Sequence, residues 1–453
     1  MDRPLSAYKS LLARAKAPVD IASVAVFRIV FGAAMLVATA RFFVHDWVRE
    51  YALTPTHFFH FWGFGWIHPW SGNGMYVHYA LMGLAALLLT IGLWARLSAL
   101  LFGALFVYAH FIDKVNYLNH YYFVGSLSLL LAFMPIDRAW SIRALWWPSQ
   151  SWSHVPAWCV WMLRFQVGCV YVFGGIAKLN ADWLFCAQPL TSWLGANTEM
   201  PLIGRWLHLK QTAYAFSWAG AFYDLTIVGW LLWRRSRPFA YMAVLVFHLL
   251  TARLFQIGMF PWVMIAATPI FFSPSWPRVL LARLGLPLKL KAKDPRPMRF
   301  PASSQLFCAL FVAWHLLVPL RHWAYPGNML WTEQGFRFSW NVMLIEKNGA
   351  LDMTVVDRRT GARSSVDPLD YLTRYQAKMM STQPDMILEF AHMVADDYAK
   401  RGVDVAVYAD VQVTLNGRRP APLIDPNVDL SREKDTLASK NWILPMPTSR
   451  PEF

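Results

Sequence analysis

Two glycines and a lysine close an apolar run. In Phe173-Gly174-Gly175-Ile176-Ala177-Lys178-Leu179-Asn180-Ala181-Asp182-Trp183, Lys178 stands at the mouth of segment 157–179, which is long enough to cross a bilayer. A lysine there is costly unless its amine snorkels to the interface or has a task. Snorkelling is the ordinary case at a helix end. The paired glycines weigh against it, because they let backbone or ligand approach the amine closely. An amine buried among apolar groups favours its neutral form, in which it can act as a base.

Other residues of this kind lie in or beside apolar runs. His120 follows Asn116 and Asn119 in a short polar stretch, and His248 lies midway along an apolar segment. An interfacial histidine is as good a reading of the first as a catalytic one, and a histidine bonding a neighbouring helix as good a reading of the second. Arg164 and Asp224 are ionisable residues within apolar segments and are expected as a buried structural pair. The four cysteines, Cys159, Cys169, Cys186 and Cys308, lack metal-ligand spacing, so neither a structural metal nor a disulfide framework is expected.

The elements that must hold these residues follow from composition. Of 453 residues 56% are hydrophobic and 15% charged, with 24 Trp, which is too apolar for one soluble core. The apolar runs are 21–40, 76–94, 97–112, 121–135, 157–179, 212–233, 238–257, 259–272 and 303–320. They predict a polytopic α-helical membrane protein of about nine spans. The first 20 residues carry no apolar core, so no cleavable signal peptide is expected. Arg28, inside the first run, should face the bundle interior.

Charge orients the spans. Residues 1–320 hold 26 Lys and Arg against 10 Asp and Glu, whereas 321–453 hold 16 against 17. With nine spans and a cytoplasmic N-terminus, 17 basic residues fall on the inner side and 6 on the outer, in accord with the positive-inside rule. Residues 1–320 are then a membrane catalytic domain and 321–453 an exterior domain, periplasmic or lumenal. The basic residues lie in loops of the apolar part, and no soluble basic face suited to nucleic acid is expected.

The exterior part reads as α+β. Stretches 336–345, 350–356 and 404–415 alternate as strands, Asp357-Arg358-Arg359-Thr360-Gly361 as a turn, and Asn416-Gly417 as a hairpin turn. Stretches 367–382 and 384–401 have helical periodicity, with Gly402 as a stop. This topology brings Asn119, His120, Lys178 and His248 from separate spans toward one cavity in the outer leaflet.

These residues fall in strings that resemble the vitamin K-dependent gamma-glutamyl carboxylase family. The strings are Asn116-Tyr117-Leu118-Asn119-His120, Gly174-Gly175-Ile176-Ala177-Lys178, Phe247-His248-Leu249, Leu254-Phe255-Gln256-Ile257-Gly258-Met259-Phe260 and, further on, Leu330-Trp331-Thr332-Glu333 and Phe338-Ser339-Trp340. The resemblance runs from Val19 to Pro445. It implies an integral membrane enzyme that uses reduced vitamin K (a hydroquinone), O2 and CO2, without a metal. Such enzymes convert the quinone to its epoxide while carboxylating glutamate side chains of a protein or peptide substrate. Carried over by motif, Lys178 is the base that deprotonates the hydroquinone, and His120 is a second catalytic residue. Asn119, His120, Lys178, His248, Gly175 and Met259 form the cofactor site. Two other readings stay open: a quinol epoxidase without protein carboxylation, and a non-enzymatic membrane binding protein or transporter. A transporter should show repeat-related broken spans, and none is detected.

Overall fold

The computed structural model describes residues 2–255, 257–286, 298 and 300–451. Most of the basic loop between Arg278 and Arg299, and Gln256 of the motifs, lie outside the described residues.

Each apolar run becomes a helix: α1 (Ala22–Val44), α2 (Gly74–Ile91), α3 (Ala95–Phe111), α4 (Asn119–Phe133), α5 (Ala157–Ala177), α6 (Lys210–Leu232), α7 (Arg237–Leu254), α8 (Phe260–Ala267) and α9 (Ala302–Leu317). Five are long and apolar enough to cross a bilayer: α1, α2, α5, α6, and α9 with its 3-10 extension to Ala324. The remaining runs are shorter or, in α7, carry an arginine near each end. Length and composition therefore single out five crossings among the described residues, against the nine expected.

The buried cations show how the bundle satisfies charge. Arg28 is fully buried and donates to the carbonyls of Leu89 (3.0 Å), Thr90 (3.1 Å) and Trp140 (2.5 Å). Leu89 and Thr90 lie in the last turn of α2, where unpaired carbonyls carry the negative end of the helix dipole. Arg164 on α5 uses the same device, donating to the carbonyls of Ile270, Phe271 and Phe272 at the end of a 3-10 turn. The expected Arg164–Asp224 pair is thus absent: helix-end carbonyls hold Arg164, and Asp224 has another partner.

The C-terminal part is a four-stranded antiparallel sheet and its helices. Strand β1 (Lys347–Asp357) pairs with β2 (Arg363–Val366) on one side and β3 (Val405–Leu415) on the other, and β4 (Ala421–Pro422) extends the sheet beyond β3. The register runs from Lys347 opposite Leu415 to Asp357 opposite Val405. Val405, Val407, Ala409, Val411, Val413 and Leu415 are buried on one face, and α11 (Pro384–Lys400) packs on β3. The preceding α10 (Arg374–Met380) starts at a capping box in which Thr373 and Gln376 satisfy each other's backbone. That cap places the helix start seven residues later than the periodicity suggests. The turn after β1 forms as expected, with the Asp357 carboxylate accepting from the amides of Arg359 and Thr360. Asn416 and Gly417 both take positive φ, as a hairpin turn requires.

The alternation over 336–345 does not make a strand. Phe338, Trp340 and Met343 adopt left-handed φ values of 62°, 58° and 58°, so the segment winds as an irregular loop. Phe338 and Trp340 pack into the helical part instead of a sheet face. Trp340 is fully buried against Tyr122 and Phe123 of α4.

Two ion-pair clusters join the parts. Arg418, just past β3, makes a two-pronged contact with Asp182 (2.6 and 2.7 Å) four residues after Lys178. Lys114, in the turn between α3 and α4, contacts Asp385 (3.0 Å) and Glu389 (2.9 Å), and Arg337 also binds Asp385 (2.7 Å).

Candidate active site

Lys178 caps α5, and its side chain turns back along the helix. Nζ donates to Asp224 Oδ2 at 2.8 Å and to the Gly174 carbonyl at 3.2 Å. Both members of this ion pair are only 6% exposed. A glycine makes the pairing possible. A Cβ on Gly175 would come within 2.8 Å of the Leu225 amide nitrogen, so α5 and α6 touch backbone to side-chain root, and Asp224 arrives beside the lysine. Of the close approaches expected at the two glycines, that at Gly175 is made to a helix, whereas Gly174 lines the cavity beside Asp224, whose Oδ2 would lie 3.6 Å from a Cβ there.

The residues after Lys178 form its floor. The Asn180 side chain accepts from the Trp183 amide (3.0 Å) and starts a short helix, and the Trp183 indole donates to the Ser217 carbonyl (2.8 Å). The indole ring so held lies 5.2 Å from Nζ, a cation–π distance.

Tyr171, Gly174 and Lys178 follow one another on a single face of α5, at the i, i+3, i+7 positions. Tyr171 brings in His248 of α7, with its hydroxyl 3.0 Å from Nε2. The other ring nitrogen of His248, Nδ1, is buried and has no hydrogen-bond partner among the described residues. Lys178, Asp224 and His248 all line one cavity of about 80 Å3, walled by Phe216, Phe247 and Phe260 and closed by Val342 and Met343 of the irregular loop.

The other expected site residues stand around this cavity. The His120 ring is 5.9 Å from the Phe260 ring, which is itself 6.1 Å from the His248 ring, so Phe260 lies between the two histidines. Asn119 donates to the Asn341 carbonyl (3.0 Å) and accepts from the Tyr117 hydroxyl (3.0 Å), which in turn receives the Phe338 amide. It ties the loop to α4. Met259 precedes α8 and packs on the helical core. Of the four residues expected at one polar cavity, the structure places Lys178 and His248 on a largely apolar one, with His120 one ring away and Asn119 spent on the loop. Sequence reasoning missed Asp224 as the lysine's partner, and Tyr171. An acidic residue within an apolar span was itself the signal for the first.

Fold and site define a membrane protein whose helical part holds a buried lysine–aspartate pair beneath an α+β domain. Comparison with known families agrees. The HTTM domain model matches residues 16–276, more than half of the chain, and the model of the vitamin K-dependent gamma-carboxylase lumenal domain matches residues 301–449. The chain belongs to the vitamin K-dependent gamma-carboxylase family, and is a carboxylase-like membrane protein with that family's lumenal domain. No solved structure matches it.

Proposed function

We propose that this protein is a vitamin K-dependent carboxylase that couples conversion of a reduced naphthoquinone to its epoxide with carboxylation of glutamate side chains by CO2. Residues 1–320 form its catalytic membrane domain and 321–453 an exterior domain, with the N-terminus cytoplasmic, as the distribution of basic residues favours. The observation that carries the reading is the buried Lys178–Asp224 pair facing an aromatic cavity at the family's lysine position.

The residues present suit a reduced quinone. Phe216, Phe247 and Phe260 offer ring faces, and the unpartnered Nδ1 of His248 offers a hydrogen bond to a hydroxyl. A dry cavity of roughly 150 Å3 accepts a benzene ring, so a fused-ring ligand needs this cavity to widen. Val342 and Met343, on a loop without regular structure, are the wall best able to give way. When bound, the hydroquinone with O2 supplies the strong base that removes a proton from the γ-carbon of glutamate.

The chain's own part is proton handling in a dry site. Lys178 Nζ takes the proton of a hydroxyl presented in the cavity and passes its own bonded proton to Asp224 Oδ2, 2.8 Å away. The pair then carries one net positive charge, opposite the negative charge left in the cavity, so no unmatched charge is buried. This differs from a lone neutral amine, the form expected from an apolar surrounding, because a carboxylate is in contact. His248, held by Tyr171, orients the hydroxyl, and His120 acts across Phe260. The aromatic walls exclude water that would quench a reactive base.

The test is a single incubation of the purified protein with reduced vitamin K, O2, labelled CO2 and a glutamate-containing peptide, measuring epoxide and label in the same sample. Epoxide with labelled peptide is expected. Epoxide without label would leave a quinol epoxidase, and neither product would reject the enzyme reading.

A further inference from the structure

A second and larger cavity, of about 870 Å3, shares no lining residue with the one at Lys178. It lies between α3, α4 and α9 and reaches up to the C-terminal domain. Helix α9 is mostly exposed, and the gap beside it is the lower part of this cavity. Phe307, Leu310, Trp314 and Val318 line it as one stripe of α9 that ends in Arg321. Fourteen residues separate the ends of the stripe, roughly 21 Å of helix, more than half of the ~30 Å hydrocarbon thickness. Leu129, Leu310 and Trp314 are 40%, 62% and 55% exposed, so the groove opens sideways where lipid would stand.

The upper end is ionic, and its charges do not all cancel. Lys114 and Arg337 both bind Asp385, and Lys440 lies 3.8 Å from Asp435. Arg321 is the cation on this cavity without a carboxylate partner among the described residues. Its guanidinium donates to the carbonyls of Val318 and Arg337 and to the Ser339 hydroxyl, which leaves Nε and one further N–H free to meet an anion. Between the two ends His110, only 7% exposed, lines the cavity with neither ring nitrogen bonded among the described residues. It stands at the end of α3, four residues before Lys114 of the ionic end.

We propose that this cavity binds a glycerophospholipid of the surrounding bilayer, with an acyl chain along the stripe of α9 and the phosphate at Arg321. The order of the walls matches such a molecule: apolar stripe, then the His110 imidazole to donate to an ester carbonyl, then an unpaired guanidinium suited to a phosphate. A peptide fits less well, because its backbone amides would find no partners along the apolar stripe. The site is separate from the lysine cavity and does not depend on the chemistry proposed there.

Native mass spectrometry of the full chain in mild detergent tests this, with titration by dioleoylphosphatidylethanolamine, by dioleoylglycerol, which has the same chains and no phosphate, and by a glutamate-containing peptide. The wild-type protein should bind one phospholipid and prefer it to dioleoylglycerol by about tenfold or more, the scale of a charge-assisted hydrogen bond. Arg321→Gln should abolish that preference, and His110→Phe should weaken both lipids alike. Equal binding of the two lipids by the wild type overturns the proposal, and that comparison stands even if Arg321→Gln fails to fold. Displacement of bound phospholipid by the peptide would assign the cavity to a peptide instead.

Discussion

Asp224→Asn separates a lysine that works alone from one that works as half of a pair. Asparagine keeps the size of aspartate and a carbonyl oxygen for the 2.8 Å contact, and removes only the charge. With both partners 6% exposed, the pair is buried, and removing one member of such a pair costs ~3–5 kcal/mol because the other charge is left unmatched. The cost is smaller to the extent that the amine releases its proton instead. Catalytically the variant lacks the group that receives the proton from Lys178, a loss of about 10²–10⁴-fold in rate. A lone amine base predicts the reverse, since removing the carboxylate favours the neutral amine. Thermal unfolding in detergent micelles and initial rates of epoxide formation at saturating reduced vitamin K read the two effects. The Lys178→Met/Asp224→Leu double variant supplies the control: it should regain most of the stability lost in the single variants, because an apolar pair of similar volume replaces a buried ion pair at little cost, and it should stay inactive. A rate for Asp224→Asn at or above wild type would refute the paired mechanism.

Four further outcomes are expected. Lys178→Ala should lose epoxide and carboxylated product together, with partial rescue by small amines, and Lys178→Arg should not restore activity because guanidinium stays protonated. Near-normal epoxide formation by the Arg variant would make Lys178 an interfacial anchor. His120→Ala should leave folding intact and lower turnover strongly, since the ring lies beside Phe260 at the cavity wall; an unchanged rate would return it to an interfacial role. At the domain junction, burial opposes ionisation of Asp385, but Arg337 and Lys114 outweigh it and hold the carboxyl well below the usual carboxylate range. A depressed folded-state value means stabilisation that is full above pH ~4 and lost as pH falls below it, so Asp385→Asn should flatten the acid limb of an unfolding titration, and an unaltered limb would show the cluster to be energetically idle. For topology, cysteines placed at the exposed positions Leu284 and Pro420 should react from the cytoplasmic and exterior sides respectively, and labelling of both from one side would overturn the orientation.

The sequence alone determined features that depend on near neighbours. Long apolar runs had to become helices, because only a helix bonds its own backbone where water is absent. Asp357 and Asn416-Gly417 made their turns through side-chain acceptors and positive φ within a few residues. Lys178 was conspicuous in the sequence because an amine at the end of an apolar run is costly and two glycines stand beside it. The tertiary structure decided the pairings. Asp224 lies 46 residues from Lys178, and it was the missing Cβ of Gly175 against Leu225 that joined them, while Arg164, the partner expected for Asp224, was taken by the carbonyl ends of a 3-10 turn. Apolar alternation over 336–345 did not become alternate burial: Ser339, Trp340 and Asn341 are buried in succession. The surface that buried Trp340 was a helix of the membrane part and not a second strand. Apolar alternation in a sequence marks side chains that will be buried, and only the packed chain determines the backbone path and the element that buries them.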